Sequence, residues 1–137
     1  MKEEELAEKI GSISKKAKSL TLHGKFKESI AEYQQAIALL GEKVKSSKYA
    51  VMLFCGIGEA YFLQKKWSEA LDYYGKAVSS EGGLGEPLIH LRLGQIRFEF
   101  GQFEKAADEL MRAYMGGGPL IFKGEEPKYF KLIEPLL

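Results

Sequence analysis

Large apolar, small and charged residues recur along this chain at intervals of three and four, and short glycine- and lysine-rich breaks interrupt them. That period is helical; a strand would alternate every second residue. The stretch from Phe54 to Ala77 shows it most clearly. Phe54, Ile57, Gly58 and Tyr61 share one face of a first helix, and Ala70, Tyr74 and Ala77 share one face of a second. Gln64-Lys65-Lys66 is a polar turn between them. The pattern predicts a helical hairpin in which Gly58 lets two backbones approach while Tyr61 and Tyr74 fill the space around the contact.

The rest of the chain reads as variations on that hairpin. Residues 2–22 form a predicted helix with Leu6, Ile10, Ile13, Ala17 and Leu20 inward, and Glu3, Glu4 and Glu5 at its positive end. After the turn at His23-Gly24-Lys25, residues 26–44 bury Phe26, Ile30, Tyr33, Ala36, Ile37 and Leu40. Ser29, Tyr33 and Ala36 stand where Ala70, Tyr74 and Ala77 stand later, so residues 10–43 are a first, degenerate repeat. Its weak point is Lys16, where a large apolar residue is wanted. Gly41 to Ser47 is a basic insertion, to be taken up by a longer helix or a longer loop. The clean repeat covers 51–84. A third follows at 87–118, with Leu93-Gly94 matching Ile57-Gly58 and Ala106, Leu110 and Ala113 matching the second-helix set. Arg97 falls where Tyr61 sits. It either snorkels to the edge or makes a polar contact. Three glycines and Pro119 predict the end of the last helix near Met115. Leu120-Ile121-Phe122 is an apolar cluster beyond it. Glu125-Glu126-Pro127 then predicts a new helix start, with Tyr129, Phe130, Leu132 and Ile133 on its buried side.

The residues of the clean repeat resemble the tetratricopeptide (TPR) pattern W-x2-L-G-x2-Y followed by A-x3-F and a second alanine. Phe54 replaces the tryptophan and Tyr74 the phenylalanine. The resemblance spans residues 10–114. It implies an all-α fold: three TPR-type hairpins in a short right-handed superhelix, a single domain over 1–137, and a C-terminal cap over 119–137.

Composition narrows the options further. Of 137 residues, 20 are Lys or Arg and 19 are Asp or Glu, so the net charge of +1 gives no general pull toward nucleic acid or an anionic membrane. The single cysteine, Cys55, cannot form an internal disulfide and fits a reducing, cytoplasmic setting. The N-terminus lacks the apolar segment of a secretory signal. No catalytic or metal-binding constellation stands out. His23 and His90 are isolated, and His90 replaces Phe54 in the repeat, which makes it a packing residue. Gly56 and Gly58 lie inside a helix, and Gly116-Gly117-Gly118 lacks the Lys-Ser/Thr of a phosphate loop. The expectation is no enzyme, no cofactor and no metal.

What the TPR resemblance implies instead is recognition of another protein or peptide. The family's groove-facing places fall on Ser14, Lys18 and Thr21 in the first repeat. In the second they fall on Met52, Cys55, Glu59, Phe62 and Leu63, and in the third on Leu88, Leu91, Gln95, Phe98 and Glu99. Arg92 is the one residue suited to hold a peptide carboxylate. Gly56 and Lys18 stand where the carboxylate-clamp subclass needs asparagine. The resulting apolar groove either receives a partner or is covered by the segment from Leu120 to Ile133. Three roles fit: an adaptor or co-chaperone, a bacterial immunity protein that neutralises a toxin by stoichiometric binding, and a self-assembling unit that pairs as a homodimer.

Overall fold

A computed structural model describes residues 1–137. It contains seven α-helices and no strand. They are α1 (Glu3–Leu22), α2 (Phe26–Leu40), α3 (Ala50–Leu63), α4 (Trp67–Val78), α5 (Pro87–Glu99), α6 (Phe103–Gly117) and α7 (Pro127–Ile133). The chain divides into two compact units, Met1–Glu81 and Gly82–Leu137.

The first unit holds two hairpins, α1–α2 and α3–α4, with α2 also packed on α3. Its core is Ile10, Ala17, Tyr33, Ala36, Leu53 and Ile57, and Leu6, Ile13, Ile30 and Leu40 pack around it. Small residues set the helix spacing. A Cβ on Gly58 would lie 2.8 Å from the Tyr74 ring, so only glycine lets α3 and α4 close to this distance. At the degenerate position, Lys16 reaches the half-buried Glu32 on α2 at 3.0 Å, and an ion pair stands in for an apolar contact. The basic insertion becomes neither a longer α2 nor an open loop. Gly41 ends α2 with φ +60°, and Gly41–Ser46 turns as a 3-10 helix.

The second unit is the α5–α6 hairpin with the C-terminal segment laid on it. Leu91, Leu110, Ala113, Phe122, Tyr129 and Ile133 form its core. Here the expected break at Met115 is displaced. Helix α6 continues through Gly116 and Gly117 and stops at Gly118, where φ is +70°. The two helical glycines lie under close neighbours: added Cβ atoms would meet Pro87 at 2.7 Å and Ile121 at 2.8 Å. They are there for spacing, and Gly118 alone makes the turn.

One backbone device closes all three hairpins. Lys25 N–H donates to the Leu20 carbonyl, Lys66 N–H to Tyr61 and Gln102 N–H to Arg97. One residue earlier, Gly24, Lys65 and Gly101 donate to Thr21, Phe62 and Phe98. This paired capping bond needs a left-handed residue at its centre. Gly24 and Gly101 supply it freely; Lys65 adopts φ +59° with a side chain attached.

Candidate partner-binding faces

Helix α3 carries the expected face of the first unit. Met52, Cys55, Glu59 and Phe62 are half-buried along it, and Leu63 at its end is 51% exposed. Their spacing brings them to one side because α3 is apolar nearly all round: Ala50, Leu53, Phe54, Ile57 and Ala60 are already consumed in the core. Met52 packs partly on that core. Phe62 rests edge-on against Trp67 at 5.3 Å, which fixes its ring. The Tyr33 phenol is held above its ordinary range, first by burial and then by the charge of Glu59. The position where a carboxylate clamp needs asparagine is Gly56, and the Tyr33 ring fills the space that any side chain there would take.

The first-repeat places do not extend this face as expected. Ser14 is buried, 4% exposed, because it lies between Ile10 and Ala17 on the inward stripe of α1. Thr21 Oγ1 is tied to Ser29 Oγ at 2.6 Å, and Ser29 in turn donates to the Ala17 carbonyl. Only Lys18 stands exposed among the three.

Helix α5 of the second unit differs more. Leu88 is exposed, but Leu91 and Gln95 are buried, at 1% and 0%. The C-terminal segment lies over them. Leu91 packs with Phe122, Tyr129 and Ile133. Gln95 Nε2 donates to Glu125 Oε1 at 2.7 Å, and Arg92 Nη1 donates to the same oxygen at 2.8 Å and to Gln95 Oε1. Phe98 stands edge-on to both Phe103 and Tyr129, at 5.1 and 5.3 Å. Lys128 Nζ grips Glu99 at 3.0 Å, and that bond is the main reason its ammonium titrates above the usual range. The row on α5 is therefore brought together as expected, yet Leu91 and Gln95 are not open to a partner. The carboxylate that Arg92 and Gln95 hold belongs to Glu125 of the same chain. Helix α7 begins at Pro127, as Glu125-Glu126-Pro127 predicts, but Glu126 makes no side-chain cap and the Glu125 carboxylate turns to Arg92 and Gln95 instead. The signal for the real role lay in the polar residues at 92, 95 and 99, spaced like the charged residues at 125 and 128.

His90 is buried between α5 and α6, with Nδ1 2.7 Å from Glu109 Oε2 and Nε2 2.6 Å from the Leu84 carbonyl. Arg97 extends to the edge and donates to Gln102. No group of three or more His, Cys, Asp or Glu residues is placed to hold a metal ion. No helix is long and apolar enough to cross a membrane.

No protein-family model matches the chain, and no curated protein matches its sequence. Solved structures do. The Yersinia enterocolitica type III secretion chaperone SycD, solved with a peptide of the translocator YopD, aligns with a TM-score of 0.72 at 16% identity, covering 92% of this chain and 90% of that one. The first TPR of Spaghetti (RPAP3), bound to the HSP90 peptide SRMEEVD, aligns with a TM-score of 0.67 at 20% identity over 94% of each. The C-terminal TPR-containing domain of a Plasmodium falciparum FK506-binding protein gives 0.70 at 14% identity, over 98% of this chain and 90% of that one. At these identities the likeness shows the fold, and the fold is an all-α, TPR-like helical repeat.

Proposed function

We propose that this chain is a protein–protein interaction module that holds a segment of a partner protein, as an adaptor or co-chaperone does. The observation that carries this reading is the α3 row of Met52, Cys55, Phe62 and Leu63, an apolar strip left partly exposed on a rigid hairpin. Two of the structural neighbours were solved with a peptide bound, which supports the same use of the fold here. The methionine side chain suits an inserted helix or extended segment because it adapts its contacts at little cost, and the Phe62 ring, held by Trp67, offers a fixed apolar surface beside it. Glu59 borders the strip on α3; on α5 of the second unit Leu88 is exposed and Arg92 and Phe98 are half-buried, with Leu91 and Gln95 beneath the surface as supports.

The test uses the tagged full chain, the partner it retains from its own host, and two variants. Phe62→Ser should weaken capture at least tenfold with helicity unchanged. Phe98→Ser should act through the C-terminal segment and lower the melting temperature. Equal binding by Phe62→Ser and the parent chain would remove α3 from the reading. Loss of a captured enzyme's activity at one-to-one stoichiometry would assign the inhibitor role of an immunity protein. A mass that rises with concentration in light scattering would assign self-assembly.

A further inference from the structure

The α3–α4 and α5–α6 hairpins are built to one plan. The same paired turn bonds close them. Gly58 and Gly94 each lie against a side chain of the following helix, Tyr74 and Leu110. Phe62 and Phe98 each stand edge-on to the aromatic that opens that helix, Trp67 at 5.3 Å and Phe103 at 5.1 Å. Positions along α3 and α5 therefore match one to one. On α5 the occupant of the row is visible, and it is the segment from Glu125 to Ile133. Tyr129 sets its edge against Phe98 at 5.3 Å. Glu125 accepts from Arg92 and Gln95, and Lys128 donates to Glu99.

The matching places on α3 keep the aromatic and change the charges. Phe62 stands for Phe98. Gly56 stands for Arg92 and Glu59 for Gln95, so two donors that hold a carboxylate give way to a glycine and a carboxylate. Leu63 stands for Glu99, and at 51% exposed it offers apolar surface where α5 offers an anion. An acid at the Glu125 place would meet the like charge of Glu59. A lysine at the Lys128 place would find no carboxylate at Leu63 and would lay its charge on apolar surface.

We propose that α3 binds a partner segment of the form basic-x-x-apolar-aromatic, with the basic residue at the Glu125 place, the apolar one at the Lys128 place and the ring at the Tyr129 place. This rests on the reading of α3 as the partner-binding face and gives the partner's chemistry. The cation pairs with Glu59, the apolar residue covers Leu63, and the ring stands edge-on to Phe62. The chain's own C-terminal segment has the wrong charges for α3, and so has that of a second copy.

Two labelled peptides test this on the full chain by fluorescence anisotropy. One is residues 119–137. The other is the same sequence with Glu125→Lys and Lys128→Leu. The substituted peptide should bind about tenfold more tightly. Phe62→Ser in the chain should remove that advantage while circular dichroism stays unchanged. Glu59→Lys should reverse the preference. Should that variant fail to fold, Glu59→Gln should narrow the preference to about threefold. Equal affinities, no binding by either peptide, an advantage that survives Phe62→Ser, or a preference indifferent to the Glu59 variants overturns the inference. Capture of a host partner that still depends on Phe62 would then keep α3 as the binding face and remove only this ligand pattern.

Discussion

Gly56 lies against the face of Tyr33, so closely that a Cβ at this position would overlap the ring. The contact joins α3 to α2, just as Gly58 against Tyr74 joins α3 to α4. One helix thus meets its two neighbours through glycines two residues apart. Gly56→Ala and Gly58→Ala should each destabilise the fold by about 1–3 kcal/mol through overpacking. Gly75 has open space around its missing Cβ and sits inside α4. Gly75→Ala should stabilise by about 0.5–1 kcal/mol. Thermal melts of the three variants check both signs.

Lys65 occupies the left-handed place that glycine fills in the other two hairpin turns. The strain of a side chain there is about 1 kcal/mol. Lys65→Gly should therefore raise the melting temperature by a few degrees, although glycine normally weakens a fold. Loss of stability would show that the lysine side chain makes a contact of greater worth.

Glu125 accepts from both Arg92 and Gln95, and Gln95 is fully buried. Glu125→Ala leaves the Gln95 amide without this acceptor and should cost about 1–3 kcal/mol. The loss should appear first as faster amide exchange across α7. Glu126→Ala, whose carboxylate is 68% exposed, should change little.

Tyr129 has its phenol pushed up from 10.0 to about 12, by burial first and then by the charge of Glu99, with Lys128 opposing. The folded chain holds this proton more tightly than the unfolded one. Its contribution to stability is full below about pH 10 and is lost as pH rises toward 12. Denaturant midpoints at about pH 8 and about pH 11 should diverge in the parent chain and diverge less in Tyr129→Phe. Tyr33 and Tyr61 are raised too and account for part of the remainder.

Much of this fold could be read from spacing. Ser29, Tyr33 and Ala36, Gly58 with Tyr74, and Leu93-Gly94 with Leu110 mark three hairpins, and the acids before Pro127 mark a terminal helix, because helical faces are a local property of sequence. The limits were equally physical. The TPR resemblance places Ser14 in the groove, yet its neighbours Ile10 and Ala17 carry it inward. Gln95 looks like a groove residue, and its position on α5 was correct. Its burial depends on Glu125, thirty residues away, and helical periodicity carries no information about what a distant segment lays on a face. Gly116 and Gly117 read as a break because glycine usually is one. Here the crowding by Pro87 and Ile121 selects them inside a helix.

The segment over α5 and α6 has a practical corollary for anyone who would lengthen this protein. Ile133, Tyr129 and Phe122 already sit on the surface of Leu91, Leu110 and Ala113 that a fourth hairpin would need. A hairpin appended after Leu137 would find no free face and dangle. Spliced between Gly118 and Pro119, it would inherit that surface and carry the terminal helix outward as its own lid. The seam between Gly118 and Pro119 is where this stack can be opened and lengthened.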